Sequence, residues 1–193
     1  MRLSKKINIL HMKKIIVLLF ILVYTVTGFA QKGEINWMTI EEAVAAQETA
    51  PRKIMMDMYT TWCGPCKMLD RNTFHNEDVA DYVNKNFYAV KFNAEGGKAI
   101  IFKDKTYENP RFDASKKGRN SQHQFAQHLR VQAYPTIIFL DEKADLIAPI
   151  PGYHAPKQLE LFLKFFASDK HKEVTTKEQW EAYQKNFKSE FKG

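Results

Sequence analysis

Ile54-Met55-Met56-Asp57-Met58-Tyr59-Thr60-Thr61-Trp62-Cys63-Gly64-Pro65-Cys66-Lys67 is the stretch on which the reading of this 193-residue chain turns. Residues 54–59 read as a buried strand in which the single acid, Asp57, is out of place by the usual preference of carboxylates for the surface. The remainder reads as the start of a helix. Gly64-Pro65 permits a tight entry, and a proline in the first turn gives up no helical hydrogen bond. A Cys-X-X-Cys pair at that point sets the first sulfur beside unpaired backbone N–H groups and the positive end of the helix dipole, which favours thiolate over thiol. Cys63 is therefore read as an exposed nucleophile. Cys66, one turn on, is the thiol placed to attack a mixed disulfide.

These are the only two cysteines of the chain. A structural disulfide framework needs more of them, spread along the sequence. A bridge across two residues constrains the unfolded chain little. A zinc site would need two further ligands, and His75, His123, His128 and His154 are scattered without metal-ligand spacing, so neither metal nor other cofactor is expected.

Further out, the formal charge of +7 has an uneven origin. Five of the 29 basic residues (Arg2, Lys5, Lys6, Lys13, Lys14) and none of the 22 acids lie in residues 1–30, so the rest of the chain carries 24 bases against 22 acids, or +2. A nearly neutral body gives no support to a nucleic-acid partner. The same thirty residues have the parts of a secretory signal: a basic stretch, an apolar run from Ile15 to about Val26, and Gly28-Phe29-Ala30 before Gln31. Cleavage is expected after Ala30. The run is short for a membrane span and is interrupted by Tyr24, Thr25 and Thr27, so membrane contact is expected only during export. No cysteine follows the cut to carry a lipid. Met12, directly before Lys13-Lys14, is an alternative translation start.

The pattern along the body is strand, helix, strand. Ile35–Met38 reads as a short strand, and Thr39 with Glu42 has the capping-box spacing that opens a helix to about Gln47. A helix from the cysteines past Leu69, a second over 76–84 and a strand over 88–92 supply the crossover that parallel pairing needs. Residues 94–120 read as an insertion holding a hairpin around Asp104-Lys105 and a polar loop. A short helix over 122–130, an antiparallel pair over 136–140 and 146–150, and a helix over 156–167 follow. The last segment, from Thr175 or Thr176, spaces Trp180, Tyr183, Phe187 and Phe191 to share one helical face. The expected parts are a signal peptide over 1–30, one α/β domain over 31–168 with the insertion at about 94–120, and a C-terminal amphipathic helix extension over 169–193.

Trp62-Cys63-Gly64-Pro65-Cys66-Lys67, after a hydrophobic strand, resembles the active-site segment of the thioredoxin family. Asp57 stands six residues before the first cysteine, as the family's buried acid does. Lys91 corresponds to a lysine near that acid, Tyr134-Pro135-Thr136 to the family's cis-proline, and Gly152 to a glycine of the later strand. The resemblance covers about Met38 to Ala167. It implies a three-layer thioredoxin fold, a central mixed sheet flanked by helices, here with the inserted hairpin and extra C-terminal helix. It further implies that Pro135 faces the sulfurs and leaves the Tyr134 backbone free to pair with a substrate strand, and that Trp62 shapes the rim around Cys63. Lys67 is a solvated residue whose charge modestly aids a thiolate. Asp57 has two readings: an acid with a raised pKa that takes the Cys66 proton, or a buried acid merely paired to Lys91.

The chain departs from the smallest family members in its insertion, in a Tyr134 bulkier than usual, and in its terminal helices. It looks closer to exported bacterial thioredoxin-like proteins, including those similar to the terminal domain of transmembrane disulfide reductases. The function expected is an exported, periplasmic thiol-disulfide oxidoreductase acting on protein thiols and disulfides, mainly as a reductant. A membrane disulfide reductase would be its electron donor, because the periplasm is kept oxidising. A disulfide oxidase or isomerase, and a non-catalytic binding or chaperone module, are the alternatives.

Overall fold

The computed structural model describes residues 33–193, and the signal, its cleavage point and Met12 lie outside them. After β1 (Trp37–Met38), the Thr39 hydroxyl accepts from the Glu42 N–H while the Glu42 carboxylate accepts from the Thr39 N–H, and this capping box opens α1 (Ile40–Thr49). Next come β2 (Lys53–Tyr59) and α2 (Gly64–Leu69). The helix does not end there, because Asp70–Phe74 continues it as a π-helical turn. α3 (Glu77–Asn86), capped by Asn76, leads into β3 (Phe87–Asn93).

The insertion supplies the hairpin β4 (Ile100–Phe102) and β5 (Lys105–Tyr107), turning at Lys103 and Asp104, both at positive φ. α4 is only Gln124–His128, shorter than its apolar spacing suggested. The His123 ring accepts the Phe125 N–H at its start, and Leu129 is already its C-cap. β6 (Thr136–Leu140), β7 (Leu146–Pro151), α5 (Pro156–Ala167), a 3-10 turn (Lys170–Lys172) and α6 (Lys177–Asn186) complete the order.

Five strands form one mixed sheet in the order β1-β3-β2-β6-β7, with β2 parallel to β3 and antiparallel to β6. Helices cover both faces, so β2 is central and reads as a continuous buried run. Ile54, Met56 and Met58 pack with α1, α4 and the hairpin, where Phe102 and Tyr107 meet Phe125. Met55 faces the other way with Ala89, Ile137 and Phe139, under α2, α3 and α5. Alternation therefore puts Asp57 on that second face, beneath the helix that begins at the cysteines.

The C-terminal aromatics do not share one helical face. The helix stops at Asn186, where Phe187 turns extended. Trp180 and Tyr183 pack on Phe165 with ring centroids 4.9 and 5.0 Å apart, whereas Phe191 reaches Tyr82, 5.7 Å away, from the extended tail. That tail is held at Lys192, whose carbonyl accepts from the Asn76 amide and whose N–H donates to Asp78, and by Glu160 of α5, whose side chain is fully buried. Its carboxylate accepts from the Ser189 hydroxyl and from the Glu190 and Phe191 N–H groups at 2.9 Å, and pairs with Lys164 at 2.7 Å. Burial pushes this carboxyl up, but Lys164, Ser189 and the two amides outweigh it and hold it below its ordinary 4.5.

A lowered folded-state pKa gives stability that is present above the unfolded value and is lost as pH falls through the folded one. Deleting residues 188–193 strips the Glu160 carboxylate of its Ser189, Glu190 and Phe191 donors and uncovers Tyr82. The expected loss is about 2–4 kcal/mol at pH 7, shrinking below about pH 4 as Glu160 takes a proton. Urea unfolding at the two pH values checks this, and an unchanged midpoint at pH 7 would remove Glu160 as the anchor.

Candidate active site

Cys63 is the N-cap of α2, with extended backbone (φ −73°, ψ 108°). Its sulfur accepts the Cys66 N–H at 3.1 Å, and its own N–H reaches the Thr60 carbonyl at 3.2 Å. Pro65 sits in the first turn, as its missing donor allows. Cys63 and Cys66 are joined by a disulfide, with Cα atoms 5.3 Å apart. The nucleophile is not exposed as expected: Cys63 is 2% and Cys66 4% accessible, while Gly64 and Pro65 are open to solvent. The cause is the cap itself, which turns the Cys63 sulfur back over the helix start. Only an edge of it meets the surface.

Beside Cys66 lies a cavity of about 240 Å³ lined by Asp57, Thr60, Cys66, Asp70 and Lys91 among others. Asp57 is 1% exposed, and its Oδ1, like the Thr60 hydroxyl, has no partner within the protein. Burial raises the Asp57 carboxyl, nearby Lys91 lowers it and Asp70 raises it, and the balance puts it at about 7. A buried acid that is half ionised near neutrality, beside one of the two sulfurs, can take and return a proton.

Lys91 is the register partner of Asp57 on β3, yet the carboxylate it binds is Asp70. The reading of Asp57 as one half of an ion pair is corrected accordingly. Asp70 lies four residues after Cys66, on the same helical face, and is the first residue of the π-helical turn. The lysine is held besides over the rings of Trp37 and Tyr59, at 5.2 and 5.6 Å. The i, i+4 spacing from Cys66 was the available signal for Asp70. Thr60 gave none beyond its place at the end of the strand.

The Tyr134–Pro135 peptide is cis, and pairing of Met58 with Thr136 puts Pro135 beside the end of β2 from which the cysteine loop departs. The Gly152 N–H donates to the Pro135 carbonyl at 2.8 Å, from a backbone at φ +97° that a side chain would strain. Trp62 is half-buried. Its edge meets Tyr134 at 6.1 Å, its N–H donates to Glu95 at 2.7 Å, and Arg119 lies over its face at 4.5 Å. Glu95 and Arg119 belong to the insertion, and their reach to the site carried no sequence signal. Lys67 points to solvent at the cavity mouth.

The thioredoxin-like domain model matches residues 40–167. Similar solved structures include a thioredoxin-fold protein from Helicobacter pylori, with TM-score 0.53 and 18% identity over 75% of this chain and 94% of that one. A thioredoxin from Thermus thermophilus gives 0.51 and 16%, over 69% and 87%. A DsbH oxidoreductase gives 0.51 and 12%, over 74% and 90%. At these identities the likeness is one of fold. Among curated proteins none matches. With the sheet order, Cys63 capping its helix and a cis-proline beside the end of β2, the family match has its structural counterpart in place, and the chain belongs to the thioredoxin-like domain family.

Proposed function

We propose that this thiol-disulfide oxidoreductase is exported and reduces disulfides in extracytoplasmic proteins, with Cys63 as nucleophile, Cys66 as resolving thiol and Asp57 as proton acceptor. The observation that carries the reading is a disulfide-bonded cysteine pair whose second member, Cys66, lines a cavity shared with an unpaired, buried acid titrating near neutrality.

The chemistry balances as two displacements. In the dithiol form the Cys63 thiolate, favoured by the Cys66 N–H and the helix start, attacks one sulfur of a substrate disulfide. That S–S bond breaks, a Cys63–substrate disulfide forms, and the first substrate sulfur leaves as a thiolate. Asp57 then takes the proton from Cys66, whose sulfur attacks Cys63. The Cys63–Cys66 bond forms and the second substrate thiolate leaves. Two electrons have passed to the substrate, and a donor dithiol must restore the pair.

The cavity is lined by charged and hydroxyl-bearing side chains and is large enough to hold water between Asp57 and Cys66. The ion pair of Lys91 with Asp70 is about a third open to solvent, which offers the proton a way out. Pro135 and the Tyr134 backbone stand where an extended substrate segment would lie.

Export rests on the composition of residues 1–30, and a membrane disulfide reductase as donor rests on the oxidising compartment that export implies. Among the described residues no helix is long and apolar enough to cross a membrane. A scaffold that only bound partners would need neither the buried acid nor the pair above it.

Cys63→Ser is expected to abolish exchange with the fold intact, and retained turnover would reject Cys63 as nucleophile. Cys66→Ser is expected to leave covalent Cys63–substrate adducts in cells, released by reductant and identified by mass spectrometry. A membrane dithiol donor among them would support the reductive direction, and the absence of any adduct from a folded variant would reject the exchange cycle.

For Asp57→Asn two effects of different kind are expected. Resolution of mixed disulfides should slow at least tenfold near pH 7, since one general base is lost, with little change in the first attack. Stability should rise, by a sign that follows from the raised pKa: the unfolded chain releases this proton near 3.8 and the folded chain near 7, so ionisation penalises the fold increasingly across that window. The variant should therefore equal the parent below about pH 4 and exceed it at pH 8, by at most about 4 kcal/mol. Denaturation at both pH values, with stopped-flow of a preformed mixed disulfide, reads the two effects separately. Unchanged resolution would return Asp57 to a structural role.

A further inference from the structure

The insertion ends in a loop with an architecture of its own. Asn109 and Ser121 close its base: the Asn109 amide donates to the Ser121 carbonyl at 2.7 Å and to that of Gly96 at 3.1 Å, while its oxygen accepts the Ser121 hydroxyl at 2.7 Å. Across the middle, the Asn120 side chain accepts the Asp113 N–H at 3.0 Å and donates to the Asp113 carbonyl at 2.8 Å. Phe112, 41% exposed, lies against Gly97 so closely that a Cβ there would come within 2.4 Å of its ring. Residues 110–120 are thus a compact, internally bonded surface loop with joined ends, a form that recurs at functional surfaces.

This loop is fastened to the residue that precedes the nucleophile. One oxygen of Glu95 accepts both the Trp62 indole N–H at 2.7 Å and the Asn120 N–H at 2.8 Å. The Arg119 guanidinium covers the face of the same indole at 4.5 Å. Stacking uses the guanidinium face and leaves its N–H edge for a carboxylate.

The charge is one-sided. Arg111, Lys116, Lys117 and Arg119 oppose a single acid, Asp113, giving +3 within nine residues of a body that is otherwise close to neutral. All four bases are exposed. Among the described residues none of them is in an ion pair, whereas Glu95 is taken up by Trp62 and Asn120, and Asp113 by Ser115.

We propose that residues 110–120 form a substrate-docking surface, held at the rim of Cys63 by Trp62 and Glu95, that selects protein disulfides flanked by acidic residues. A protein partner fits better than a membrane or a nucleic acid, because the fastening point is Trp62: whatever the loop holds is set down beside the sulfur that reacts. Like-charged segments are turned away by the same field. The inference rests on the exchange reading above.

The test uses the purified protein in its dithiol form and three disulfides: a peptide whose cystine is flanked by Asp and Glu, the same peptide with Lys in those places, and uncharged hydroxyethyl disulfide. The variants are the triple Arg111→Gln/Lys116→Gln/Lys117→Gln, which leaves Trp62 untouched, and Arg119→Gln. At low ionic strength kcat/KM for the acidic peptide should exceed that for the basic one by about tenfold or more. The triple variant should lose most of that preference while its rate on hydroxyethyl disulfide is unchanged. Salt of about 1 M, where charges are screened beyond about 3 Å, should erase the preference in the parent. Equal rates on the two peptides, a preference that survives neutralisation, or a loss spread equally over all three disulfides would overturn the proposal. Binding of the parent to anionic vesicles without peptide discrimination would overturn it too. Failure of the parent to reduce hydroxyethyl disulfide would instead sink the exchange reading itself.

Discussion

A carboxyl group buried in an apolar strand, without a counter-ion in contact, is the constraint around which this site is organised. Asp57 is placed by the alternation of β2 on the face covered by α2, α3 and α5, while Met55 and its neighbours exclude water from the rest of that face. Ionising it there costs stability, because burial penalises the charged form. Everything else in the site follows from where that group sits. Cys66 lies above it, and Cys63 at the helix start receives the hydrogen bond a thiolate needs. Lys91 stands near enough to lower the acid's pKa partially and is bound elsewhere.

Much of this was legible because the relevant signals are local. The apolar run 54–59 with one misplaced acid, the cysteine spacing, Pro65 in the first turn and the Thr39–Glu42 box each concern residues within a few positions of one another, where backbone geometry decides the outcome. Hairpin and central strands declared themselves in the same way. The Tyr134–Pro135 segment and Gly152 were legible only through resemblance, since nothing in their own spacing announces that they meet.

What escaped is non-local. Glu160 is one acid within an apolar helix, and its burial depends on a tail about thirty residues later that offers two amides and a hydroxyl. The burial of Cys63 depends on the direction of its sulfur, which turns to the Cys66 N–H and the Cys66 sulfur and which helix-start geometry alone does not give. The C-terminal aromatics fitted one face only if the helix ran to residue 191, and it ends at Asn186. Trp62 meets Glu95 and Arg119 through a loop whose path no periodicity records.

The choice of partner for Lys91 shows how small rearrangements set function within one fold. Had the lysine bound Asp57 directly, a contact pair in a low-dielectric setting would hold the carboxylate ionised and far below neutrality, able to accept a proton from Cys66 only rarely. Asp70, at the start of the π-helical turn, pairs with Lys91 and neutralises much of that charge, and it adds a negative field that discourages ionisation of Asp57. Both effects move the buried acid in the same direction, toward the pH at which it can both take and give up a proton. The acid that tunes the site is thus one turn beyond the resolving cysteine, in a position where an exposed polar side chain would otherwise have passed for solvated surface.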